Sequence, residues 1–348
     1  MNRATIKDVA EAAGVGVATV SRVLSGGSAS AATRERVLAV AAQLDYRPSA
    51  LGRNLRQRRT GGIGLLVPDL TDTFYGQLAE GVLACARSAG EPVLLGSTAD
   101  DPEQETEAIG MLLEQSVDRL IAVPSGGADT WGPALRADMT VVFADRLPLI
   151  SPEPAGTPLD DLQALDGLRP VRQAARLDVP SVLADDRSGV RTAVQYLRAL
   201  GHRRIAYLGG PANPRRVAAF RETVASVDEE LIVFSDGSRD SAYAAASGLF
   251  QTRPDLTAVL AGGNVLGEAA VLAARELDLR VPQDVSLIMY DDVPWAELCS
   301  PPLTVIAQPG HDIGYRAAEL VLRAGTRKPR SVVLPTELIV RGSCGPHR

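Results

Sequence analysis

Cysteine and histidine are scarce in this 348-residue chain, three of each. Cys85, Cys299 and Cys344 are odd in number and form no CxxC pair, and His202, His311 and His347 lie far apart. That pattern fits neither a disulfide framework nor a structural zinc site, so no metal and no cofactor are expected. Long apolar runs are missing too. No stretch stays apolar for 18 residues, and the first 20 lack the apolar core and cleavage site of a secretion signal. The expectation is a soluble protein inside the cell with no membrane partner. Also absent are a GxGxxG turn, a P-loop, a Ser-His-Asp elbow and paired carboxylates near a histidine. An enzyme therefore has little support.

What is present is a charge asymmetry. Residues 1–60 hold ten Lys and Arg against four acids, or +6, which leaves −12 for the remainder of a chain whose total is −6. A basic head on an acidic body is the footprint of a nucleic-acid-binding module joined to a part that need not touch the polyanion.

The head is also patterned to fold. Thr5 can cap a helix with the stripe Ile6, Val9, Ala10 and Ala13, and Gly14 suits the position just past its end. After a short turn a second helix starts near Gly16 or Val17. It buries Val20, Val23 and Leu24 and leaves Val17, Ala18, Ser21 and Arg22 outside. Ser30 caps a third helix whose expected inner stripe is Val37, Leu38, Ala41 and Leu44. Three short helices with a tight glycine turn read as a helix-turn-helix domain, whose second helix enters the major groove of double-stranded DNA.

From Gly62 the period changes. "IGLLVPDL", "PVLLGST", "RLIAVPS" and "TVVFADR" alternate with helical stretches, and a second set of short apolar runs begins at Ser181 with "SVLADD". This alternation predicts two doubly wound α/β lobes with parallel sheets.

"TIKDVAEAAGVGVATVSRVLSG" and "TRERVLAVAAQLDYRPSALGRNLR" resemble the headpiece of the LacI/GalR transcriptional repressors. "GHRRIAYLGGP", "RVPQDVSLIMYDDVP" and "PPLTVIAQP" match the family's C-terminal signatures. The resemblance implies a homodimeric, effector-controlled regulator in the cytoplasm, associated with the nucleoid, with no enzymatic activity. It implies a headpiece over 1–47, a hinge helix over 48–60, and a periplasmic-binding-protein-like effector and dimerisation domain over 61–348. The first lobe is expected at about 61–180 and 308–326, the second at about 181–307 and 327–341.

Carried over by position, Val17, Ala18 and Arg22 reach base edges, while Thr5, Thr19 and Ser21 bind phosphates. Leu55 matches the hinge leucine that wedges into the minor groove of a palindromic operator, flanked by Arg53 and Arg56. Arg216 and Asp291 match effector-binding residues, and Gln308 matches a cleft residue at a lobe crossover. Asp145, Phe74 and Tyr75 lie just past strands of the first lobe, where ligands of open α/β sheets sit. Acceptors, a forked donor and an aromatic platform suit a sugar or nucleoside.

The chain departs from the family at several points. Gly16 stands where the recognition helix usually has a serine cap, Gly52 where the hinge usually has alanine, and Asn264 where aspartate is common. The segment between Asp145 and Ser181 is longer than usual, and that between Gly210 and Phe220 is shorter. These departures leave the ligand's identity open. No heptad tail follows "LPTELIVRGS", so no tetramerising coiled coil is expected. The alternative is a sugar-binding receptor without a DNA role, which the folded basic head opposes.

Overall fold

The computed structural model describes residues 4–24, 27–46, 62–148, 179–210, 213–224, 228–323 and 330–347. It divides into two compact units, one up to Gly61 and one from Gly62 onward. Arg53, Leu55 and the whole expected hinge, as well as most of the long segment before Ser181, lie outside the described residues.

The small unit has three helices: α1 (Ile6–Ala12), α2 (Val17–Leu24) and α3 (Ala31–Gln43). Thr5 and Asp8 close a capping box, with Thr5 N donating to Asp8 Oδ2 at 2.7 Å and Asp8 N to Thr5 Oγ1 at 3.4 Å. At the other end of α1, Gly14 takes φ +63°. Its N–H bonds Glu11 O at 3.1 Å, and that of Val15 bonds Ala10 O at 3.0 Å. This is a Schellman ending that a side chain would strain, and it is what turns the chain from α1 into α2. Val9, Ala13, Val20, Val23, Val37 and Ala41 form the core.

One expectation fails in α3: Leu38 is 48% exposed and Leu44 is 38% exposed, so neither belongs to an inner stripe. Val40 and Tyr46 pack there instead. Successive helix residues point about 100° apart, so with Val37 fully buried Leu38 falls off the inner face, and Leu44 is the C-cap beyond the last helical residue.

The large unit holds two six-stranded sheets. The first runs β11-β5-β4-β3-β1-β2, built from β1 (Ile63–Val67), β2 (Val93–Ser97), β3 (Arg119–Ala122), β4 (Thr140–Asp145), β5 (Ser181–Ala184) and β11 (Val332–Leu334). The second runs β12-β10-β9-β8-β6-β7, with β6 (Ile205–Gly209), β7 (Ile232–Phe234), β8 (Ala258–Ala261), β9 (Ser286–Tyr290), β10 (Thr304–Ala307) and β12 (Glu337–Ile339). The pairings are parallel except β10 with β12. Each sheet carries an apolar core on both faces, as parallel sheets require.

The lobe boundaries differ from expectation in two places. Ser181–Ala184 pairs with β4 through Ala144↔Val182, and Val332–Leu334 pairs with Ser181–Ala184. Both strands belong to the first lobe, whereas the resemblance implies that residues 181–307 and 327–341 lie in the second. A four-residue apolar run states that it will be buried, not which sheet edge it will join.

The chain thus passes between lobes after β5, after β10 and between β11 and β12. The second crossing leads into a helix (Gly310–Arg323) that packs on the first helix of the body (Thr73–Ala89). There a Cβ on Gly314 would lie 1.9 Å from Leu78 O, and one on Gly81 1.9 Å from His311 O. Only glycine lets the two backbones meet that closely.

Candidate functional site

A cavity of about 510 Å³ lies between the lobes, at the carboxyl ends of their strands. Phe74, Tyr75, Asp145, Arg216, Asp291 and Gln308 all line it, although they follow five different strands. Topology alone brings them together. Phe74 and Tyr75 start the helix after β1, with their rings edge to face at 5.3 Å. Asp145 closes β4, Arg216 lies in the helix after β6, Asp291 follows β9, and Gln308 follows β10.

Asp145 and Asp291 both hold left-handed backbone, with φ +64° and +73°. An aspartate tolerates that conformation at a cost, and such residues cluster where a side chain must be aimed. Burial pushes the Asp145 carboxyl from its ordinary 3.8 up to about 7, although Arg216 and Arg146 work the other way. Asp291 is raised by burial as well, opposed by Arg216 and by a 2.6 Å hydrogen bond from Gln308 Nε2. Asp145 Oδ1 and Gln308 Oε1 are buried and have no hydrogen-bond partner among the described residues. Both residues line the cavity, but the two oxygens themselves are closed off from solvent, and Arg146 Nε on the same wall is likewise buried without a hydrogen-bond partner among the described residues.

Arg216 is 5% exposed and already engaged. Its Nε donates to Asp186 Oδ1 at 2.9 Å and its Nη1 to Gly262 O at 2.7 Å. The guanidinium lies 3.8 Å from the Tyr290 ring centroid. With the Asn213 amide turned so that its carbonyl faces the guanidinium, it accepts from Nε and Nη2 at 3.2 Å each. Burial opposes the charge on Arg216, but Asp186, Tyr290, Asp291 and Asp145 together hold it protonated. The forked donor of the sequence reading is therefore largely an internal brace.

Several residues in or beside the cavity escaped the sequence reading. Arg146 is buried beside Asp145 and ion-pairs with Asp100. Asp186 is the buried partner of Arg216 and also meets Arg215 at 3.5 Å. Asp72 caps the helix Thr73–Ala89 by accepting from Phe74 N at 2.8 Å, and it accepts from Asn264 Nδ2 of the opposite lobe at 2.9 and 3.1 Å. Asp72 and Asp186 had a legible signal, each lying at a helix start just after a strand. Five carboxylates line the cavity against two guanidiniums, and both guanidiniums are paired.

In the small unit, Ala18 and Arg22 are exposed on one side of α2, while Val17, Thr19 and Ser21 are half-buried. Val17 packs against the headpiece core, which limits what it can offer outward. The Thr5 hydroxyl donates to Asp8 Oδ2 at 2.9 Å within the capping box. Among the described residues no helix is long and apolar enough to cross a membrane, and no cluster of His, Cys, Asp or Glu could hold a metal ion.

A helix-turn-helix unit that precedes, in the sequence, two lobes enclosing a polar cleft is the architecture of a DNA-binding transcriptional regulator. Residues 5–49 match the family of bacterial regulatory proteins named for lacI, and residues 194–344 match a periplasmic binding protein-like domain. The chain is 32% identical to the HTH-type transcriptional regulator DegA of Bacillus subtilis over 99% of each sequence. It is 30% identical to the HTH-type transcriptional repressor CytR of Escherichia coli, over 98% of this chain and 96% of CytR. Among solved structures, a CelR–cellobiose complex shares 32% identity at TM-score 0.68, covering 98% of this chain and 100% of CelR. The lac repressor dimer bound to operator and the anti-inducer ONPF shares 25% at TM-score 0.79, covering 98% and 99%. The chain belongs to the LacI family of transcriptional regulators, and its relatives are regulators, not enzymes.

Proposed function

We propose that this protein is a dimeric repressor whose affinity for a palindromic operator is set by a small, uncharged, polyhydroxylated ligand in the inter-lobe cleft. The observation that carries the ligand half is the convergence of Asp145, Asp291, Gln308, Phe74 and Tyr75 on one cavity, a set rich in acceptor oxygens for hydroxyl donors. Sugar hydroxyls supply such donors, and the aromatic pair supplies an apolar face. Cellobiose is the partner in the CelR complex, and a ribose operon repressor of Bacillus subtilis is 33% identical over 94% of this chain.

For the DNA half, Arg22 reads a guanine by a bidentate contact, and Ala18 with Val17 offers apolar contact to a thymine methyl. Thr5, Thr19 and Ser21 fix the register on phosphates. Arg53 and Leu55 act at the centre of the site, where an apolar wedge kinks the minor groove. The protein acts on DNA in the cytoplasm and has no membrane partner.

A gel shift of the full chain on a palindromic operator and on its half-site tests the DNA reading. Equal affinity for both overturns the dimer. Thermal-shift measurements with free sugars and nucleosides test the ligand reading, and failure of every member to raise the Tm overturns it.

A further inference from the structure

Asn264 begins the helix Asn264–Glu276 of the second lobe, and Asp72 caps the helix Thr73–Ala89 of the first. The Asn264 amide donates to both oxygens of Asp72, at 2.9 and 3.1 Å, and reaches 3.5 Å from Asp291 Oδ2. One amide nitrogen thus faces two carboxylates from opposite lobes. The surroundings add a second observation. A further cavity of about 610 Å³, with Trp295 and Cys299 in its wall, adjoins the first, and Asp69, Asp72, Asn264, Val265 and Gly237 line both. The Asp72–Asn264 bond crosses the partition between them.

We infer that Asn264 and Asp72 form a clasp that holds the two lobes together across this partition, and that Asn264 is thereby a positioning residue for Asp291. Burial raises the Asp72 carboxyl, and the Phe74 N–H first and the Asn264 amide second work against that rise, so the amide is one of two donors that support a half-buried anion there. Gln308 holds Asp291 Oδ1 from one side while Asn264 faces Oδ2 from the other. Losing Asn264 frees one side of Asp291 and removes an inter-lobe tie in the same step. An aspartate at position 264 does more: it sets a third carboxylate against Asp72 and Asp291, and like charges that close repel. The clasp stands on this geometry alone and does not depend on any effector or operator.

The test is hydrogen–deuterium exchange of the full-length, ligand-free protein, read at the amides of residues 69–75 and 262–266. Four proteins are compared: wild type, Asn264→Ala, Asn264→Asp, and Asn264→Asp combined with Asp72→Asn. Asparagine caps helices as well as aspartate does, so the last change leaves the start of Thr73–Ala89 intact. A hydrogen bond to a charged group corresponds to about 10-fold or more in an opening equilibrium. Exchange should therefore rise about 10-fold in both segments in Asn264→Ala and further in Asn264→Asp. The double variant should fall back below Asn264→Asp, because the amide introduced at position 72 can donate to the carboxylate introduced at position 264. Wild-type exchange in Asn264→Ala overturns the clasp. So does a double variant that exchanges as fast as Asn264→Asp, since repulsion between positions 264 and 291 alone would then explain the effect. Neither outcome touches the repressor reading, which the operator and sugar measurements test separately.

Discussion

The Asp145 carboxyl makes stability depend on pH in a way that one substitution removes. Burial raises it from 3.8 to about 7 in the folded chain, so the fold binds a proton that the unfolded chain releases. Stability from this group is full below about pH 4, falls as pH rises through the window from about 4 to 7, and levels off above it. Moving a carboxyl that far corresponds to about 4 kcal/mol at pH 8, where it is ionised in both states, and to about 1.5 kcal/mol at pH 5. Asp145→Asn replaces it with a neutral group of the same shape. The variant should gain stability over wild type at both pH values, and the gain should be about 2.5 kcal/mol larger at pH 8 than at pH 5.

Urea unfolding followed by tryptophan fluorescence measures this in the right unit, because Trp131 and Trp295, both in the body, are the chain's two tryptophans. Groups common to both proteins, such as Glu105 and Asp72, cancel in the comparison. An amide in place of an oxygen acts equally at both pH values, so only the difference between them bears on the carboxyl. A gain identical at pH 5 and pH 8 refutes the burial account.

Further outcomes follow from the same site and from the headpiece. Arg22→Ala should cost about 1–3 kcal/mol per bidentate contact and relax the preference for the guanine it reads, as seen by gel shift on operators altered at that base. Leu55→Ala should lower operator affinity and DNA bending while leaving ligand binding unchanged, and Gly52→Ala should tighten operator binding by about 1 kcal/mol. Because both guanidiniums in the cleft are paired, phosphate esters of sugars or nucleosides should bind at least about 100-fold more weakly than their unphosphorylated parents by calorimetry. Asp291→Ala should abolish the effector's control of operator affinity, expected at about 5- to 150-fold, while ligand-free affinity changes little.

Much of the fold was legible because its signals are local. Thr5, Gly14 and Ser30 each do in the structure what a cap or helix stop does in a sequence. The alternation of apolar runs and amphipathic stretches is equally local, and it pointed to two α/β lobes. Sheet membership is not local. "SVLA" at 181–184 is buried throughout, yet nothing within four residues records that the open edge beside β4 lies in the first lobe. The same holds for Val332–Leu334.

The cleft divides along the same line. Residues just past strand ends could be named one at a time, since the ends of parallel strands face the ligand in any open α/β sheet. Their partners could not, because each pairing spans the fold. Arg216 was legible as a donor, but Asp186 lies 30 residues away and Gly262 O 46 away, and together they turn that donor into a brace. Asn264 meets Asp72 across 192 residues and from the other lobe. The consequence is chemical: read one residue at a time, Arg216 is a free donor for a sugar or nucleoside, whereas in the assembled cleft it is already held by Asp186 and Gly262 O. The uncharged ligand proposed above therefore rests on the assembled site, because the arginines' partners come from elsewhere in the chain.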